Sequence, residues 1–136
     1  MSLAGTTEMT AKVRLDTSPV TFDTVSIDWL QAAGSEALDR LEFGVIGFNA
    51  ETTVEIYNRF EAEIARIDPS RVKGRPVFLS VAPCMNNYLV SQRFEDEDEL
   101  DTVLNYVLTL RMRPTPVKLR LLKSARSRLR FALVQR

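Results

Sequence analysis

No carboxylate follows Asp101, while nine of the eighteen basic residues do. Arg111, Arg113, Lys118, Arg120, Lys123, Arg126, Arg128 and Arg130 stand among Val, Leu, Phe and Met. This is the alternation of strands with one charged and one apolar face. It divides into three β-rich runs, Val103 to Arg113, Val117 to Lys123 and Leu129 to Val134. The first two are parted by Pro114-Thr115-Pro116, which reads as too rigid to continue a strand. An ordinary solvated sheet face is the plainer account of the charges, with a basic docking surface as the alternative. The acidic run from Glu95 to Asp101, broken only at Leu100, reads as a solvated helix end or loop.

Upstream, punctuation sets the elements. Ser26 is placed to cap a helix from Ile27 to Ala33 that Gly34 stops, and Ser35 to cap a second turn through Leu41. Phe43 to Phe48 and Val54 to Tyr57 read as a hairpin around the turn Asn49 to Thr53. Asn58 to Ile64 turns helical. Asp68-Pro69 followed by Gly74 supplies a cap, a first-turn proline and a terminating glycine for a further short helix. Ala82-Pro83-Cys84 is a kinked entry to a loop and a helix around Tyr88 to Phe94. Two strands, several short helices and three strands predict an α+β fold with one five-stranded antiparallel sheet and short helices on one side.

At 136 residues with 45% hydrophobic and 26% charged side chains, the chain has the make-up of a single domain. Residues 1–25 read as an N-terminal segment, unstructured to about Pro19, and 26–136 as the domain proper. Neither a signal-peptide core nor about 18 apolar residues in a row is present, so the expected location is the cytoplasm, away from membranes. Net charge is zero, which gives no field for binding nucleic acid. The chain has no His, so His-based triads and His-ligated metals are excluded, and no metal site is expected. Its one cysteine, Cys84, has no internal disulfide partner. Packing, reactivity and covalent attachment stay open for it. An enzyme acting through Cys84 would lack the usual activating base.

Around Cys84 the string Val81-Ala82-Pro83-Cys84 resembles the photoactive yellow proteins, blue-light receptors with the PAS fold. Leu41-x-Phe43-Gly44-x-Ile46, Tyr57-Asn58, Asp68-Pro69, Val72-x-Gly74, Phe78 and Phe94 fit the same pattern without a gap. After a shortened acidic loop, Tyr106 and Met112-x-Pro114-Thr115-x-Val117-Lys118 resume it. The resemblance implies a helical cap over 26–41 and a sheet with a chromophore pocket over 42–136. It implies 4-hydroxycinnamic acid (p-coumaric acid) held as a thioester on Cys84, its buried phenolate hydrogen-bonded by Tyr57 and Glu61. It also implies a light cycle of isomerisation, proton transfer from Glu61 and loosening of the cap.

A thioester needs a nucleophilic sulfur, and a buried phenolate needs strong donors. Ala65, Ile67, Phe78, Ala82, Pro83, Tyr106 and Met112 are the expected pocket lining. Ala65 stands where the family usually has a threonine, and Ile67 where it usually has an arginine; Arg59 or Arg66 is a candidate substitute. These departures keep open a chromophore-free PAS-like module acting by partner binding or homodimerisation. Either way, a downstream protein partner is expected.

Overall fold

In a computed structural model, which describes residues 20–110 and 113–136, the alternation after Asp101 becomes strands of one antiparallel sheet. The elements run α1 (Ile27–Ala32), α2 (Ser35–Asp39), β1 (Gly44–Phe48), β2 (Val54–Tyr57), α3 (Arg59–Ala65), α4 (Ser91–Asp96), β3 (Leu100–Leu110), β4 (Arg113–Lys123) and β5 (Arg130–Gln135). Strand order is β2-β1-β5-β4-β3. Between α3 and α4 the chain makes tight turns at Pro69–Arg71, Val77–Val81 and Pro83–Met85.

The two-residue period sorts the core onto two faces. Ile46, Phe48, Leu119, Leu121, Ala132 and Val134 point toward α3, the tight turns and α4. Val45, Leu122, Phe131 and Leu133 point toward the N-terminal cap. β1 and β5 are therefore buried on both faces, which is why both read as nearly continuous apolar runs. Helices cover both faces: the N-terminal pair lies opposite α3.

Several expectations shift. Pro114 and Pro116 sit inside β4, paired with Thr109 and Val107 of β3. Pairing of β4 with β5 begins only at Lys118, so at both prolines one side of the strand is open and the missing N–H is tolerated. β3 begins at Leu100, so the last two residues of the acidic run join the ladder, while Glu95 and Asp96 end α4 and 97–99 form the connection, matching the expected helix end or loop. Arg120 leaves the solvated face. It is 7% exposed, bonds both oxygens of Asp101, and donates to the carbonyls of Phe22 and Val25 at 2.9 and 2.7 Å.

Residues 20–25 belong to the cap rather than to a separate segment, with Phe22 and Val25 buried against the sheet. Ser26 caps α1 through Trp29 N, as its position predicts. Ser35 does not cap α2; Gly34 holds that position and Ser35 opens the helix. Among the described residues, no helix is long and apolar enough to cross a membrane.

Candidate functional site

β2 ends at Tyr57, and the chain turns at once into α3. Asn58 makes that turn. Its Oδ1 accepts from Glu61 N and Val45 N, and its Nδ2 donates to the carbonyls of Leu38 and Phe43. A 2%-exposed amide thereby caps α3 and ties it to β1 and the cap helix α2. With the helix start fixed, Tyr57 and Glu61 come to one side of the corner.

On the other side of the site, Cys84 sits in the 3-10 turn Pro83–Met85, partly buried. Its carbonyl accepts from Tyr106 Oη at 2.6 Å and from Asn87 Nδ2 at 3.2 Å. Asn87 also donates to Tyr106 Oη, and its Oδ1 accepts from Leu89 N and Val90 N. The cysteine turn is thus pinned to β3 through Tyr106, with Asn87 bonding both the Cys84 carbonyl and the Tyr106 hydroxyl.

Between corner and turn lies a cavity of about 490 Å³. Tyr57, Glu61, Ala65, Ile67, Ala82, Pro83 and Cys84 all line it. Ile46, Leu108 and Val134 close it from the sheet, joined by Ile64, Val81 and Met85. Two expected walls lie elsewhere. Phe78 turns into the aromatic core, its ring centroid 5.4 Å from Phe48 and 6.2 Å from Phe94, because the Val77–Val81 turn directs it inward. Tyr106 reaches the cysteine's main chain instead of the cavity. Met112 lies outside the described residues. Arg59 and Arg66 line a neighbouring groove that shares Tyr57 and Ile67 with the cavity.

Glu61 is 3% exposed. Its Oε2 accepts from Arg136 Nη2 at 2.8 Å, and its Oε1 is buried with no hydrogen-bond partner. Burial pushes the carboxyl above its ordinary value of 4.5; Arg136 pulls the other way. Tyr57 is raised too, by burial first and by the Glu61 charge second. The partnerless Oε1 is packed against the Gly44 main chain. The cavity joins a thiol at one end to the Tyr57 and Glu61 side chains in its lining, a set that suits a small acyl group with a polar far end.

No protein-family model matches the chain. It is 36% identical over 90 residues to the photoactive yellow protein of Halochromatium salexigens, a match covering 64% of this chain and 72% of that one. It belongs to the photoactive yellow protein family. The homologue from Rhodothalassium salexigens is 32% identical over 88 residues, covering 62% of this chain and 70% of its own. Among solved structures, the photoactive yellow protein domain of the sensor histidine kinase Ppr from Rhodospirillum centenum superposes with a TM-score of 0.73 at 28% identity. That match covers 80% of this chain and 98% of the domain. The PAS domain of an HTR-like protein from Haloarcula marismortui, at 16% identity and a TM-score of 0.58, shares the fold. The architecture is thus the PAS fold, and the family is one of photoreceptors.

Asn58, Asn87 and Arg136 are the site residues that sequence reading missed. Asn58 follows Tyr57 at a strand-to-helix boundary, a position that signals a cap but not a four-way tie. Arg136 stands 75 positions from Glu61 and carries no local signal at all.

Proposed function

We propose that the chain is a cytoplasmic blue-light receptor, a sensor and not an enzyme, that carries 4-hydroxycinnamate as a thioester on Cys84. The observation that carries this reading is the convergence of Cys84, Tyr57 and Glu61 on one cavity. When bound, that group supplies light absorption and a double bond that can isomerise. Cys84 Sγ displaces the thiol of an activated acyl donor, exchanging one thioester for another while the departing thiol takes the proton. Tyr57 and Glu61 donate to the buried phenolate, and burial raises the pKa of both groups, which favours their protonated forms.

Loss of the Glu61 proton leaves a buried carboxylate whose charge Arg136 offsets only in part, and the remaining cost of burial favours opening nearby. Asn58 links the same helix to Leu38 in the cap, so residues before Leu41 are the moving part. The signal passes to a downstream protein, or to a second copy of the chain. The homologue within a sensor histidine kinase supports the first route.

The test is expression with activated 4-hydroxycinnamate, followed by a visible spectrum and intact mass. A coloured protein heavier by one acyl group is expected, and Cys84→Ala should be colourless. A folded protein that stays colourless and unmodified overturns the reading in favour of a chromophore-free interaction module.

A further inference from the structure

The Glu61 carboxyl lies between two environments. One is the cavity that it lines with Tyr57 and Cys84. The other is Arg136, which is not a wall of that cavity and reaches Oε2 from the end of β5. The Arg136 side chain is 13% exposed and that of Glu61 4%, so the contact is largely shielded from water although the Arg136 main chain is exposed. β5 is held in register up to Gln135, paired with Lys118, which fixes the main chain one residue before Arg136.

A guanidinium donates hydrogen bonds and accepts none, and it keeps its charge at any physiological pH. A neutral carboxyl has one carbonyl oxygen, which accepts, and one hydroxyl, which donates. With Oε2 occupied by a donor, the proton belongs on Oε1, the atom left without a partner. When that proton leaves, the carboxylate already has a cation at hydrogen-bond distance. Removing one member of such a buried pair is strongly unfavourable, whereas the pair itself is tolerated.

We propose that Arg136 is a positioning residue for Glu61: it confines the transferable proton to Oε1 and compensates the charge left behind, thereby regulating how readily the carboxyl ionises. This rests on Glu61 acting as the proton donor in the photoreceptor reading, yet the pair can be tested without any chromophore. Among the described residues, the charged and titratable groups facing the carboxyl from neighbouring elements are Arg136, just past β5, and the Tyr57 hydroxyl on β2; the Cys84 thiol shares the cavity.

The experiment is an NMR titration of 13C-labelled glutamate carboxyls in the unloaded protein, with the Glu61 signal identified by its loss in Glu61→Gln. Arg136→Gln should raise proton affinity at Glu61 by roughly tenfold or more, the effect of losing a cation at this range, and Arg136→Lys should fall in between. An unchanged Glu61 midpoint in a folded Arg136→Gln protein overturns the proposal. Should that variant not fold, Arg136→Met replaces it, and a Glu61 midpoint there equal to the wild type overturns the proposal as well.

In loaded protein, infrared difference spectra after a flash should show slower or smaller loss of the Glu61 carboxylic C=O band in Arg136→Gln. A moved midpoint in a protein that takes no chromophore leaves the pair standing and removes the receptor reading. Colour with an unmoved midpoint does the reverse.

Discussion

At Gly44 the absence of a side chain leaves room for the Glu61 carboxyl, since a Cβ there would overlap Oε1 and crowd Cβ and Cδ of the same residue. Gly44→Ala should therefore destabilise the fold by about 1–3 kcal/mol, as overpacking of a tight core does. Urea unfolding measures this. Truncating the obstacle as well, in Gly44→Ala with Glu61→Ala, should cost less than the two single changes summed; strict additivity would mean that Gly44 is required for another reason. Glu61→Gln tests the donor itself. In the loaded protein it should keep the colour and move the band to longer wavelength, because an amide is a weaker donor and leaves more charge on the phenolate. An unmoved band would take Glu61 out of contact with the chromophore.

Among the elements, the corner between β2 and α3 carries most of the consequence. Asn58 serves the α3 N-terminus, the β1 backbone and the α2 carbonyl of Leu38 with one buried amide. Replacing it by Ala strips partners from four main-chain groups in or near the core. Each unsatisfied group costs about 1–3 kcal/mol, so a loss of about 2–4 kcal/mol is expected after partial relaxation. Hydrogen exchange should show weaker protection at the Val45 and Glu61 amides and across α2. Protection retained across α2 would show that the cap is held by Arg120 and the Phe22–Phe43 contact instead. The tight turns around Val77–Val81 and Pro83–Met85 contribute differently, presenting the cysteine to the cavity while its carbonyl is held by Tyr106 and Asn87.

For the whole molecule, the buried carboxyl makes stability depend on pH with a definite sign. Native Glu61 binds its proton more tightly than the unfolded chain, whose carboxyl has the ordinary value of 4.5. Its contribution is complete below 4.5, declines as pH rises toward the native value, and is gone once the native carboxyl has ionised. Glu55 and Asp68 act oppositely. The Arg128 hydrogen bond lowers the first and the Ser70 main-chain bond the second, so their contributions are present above 4.5 and 3.8 and vanish as pH falls. The two effects occupy different sides of the curve. Urea unfolding at a series of pH values from about 4 to 8 should show stability falling on the alkaline side, and Glu61→Gln should flatten that fall. An unchanged slope in the variant would place its origin elsewhere.

Short-range physics was legible from the residues alone. Alternation located the last three strands because a pleated strand turns successive side chains to opposite faces, and turn residues bounded the first hairpin; Ser26, Asp68 and Gly74 marked turns because capping and positive φ are local demands. The Val81 to Cys84 string carried the family resemblance, and Tyr57, Glu61 and Cys84, which that resemblance singled out, line one cavity. What neighbours decide was not legible. Pro114 and Pro116 are strand residues only because β5 stops short of them, and Arg120 is buried only because the cap's carbonyls need its donors. The partner of Glu61 came from the far end of the chain. No spacing encodes that pairing; the sheet register carries Arg136 to the carboxyl, and burial then makes a single hydrogen bond decisive for the proton.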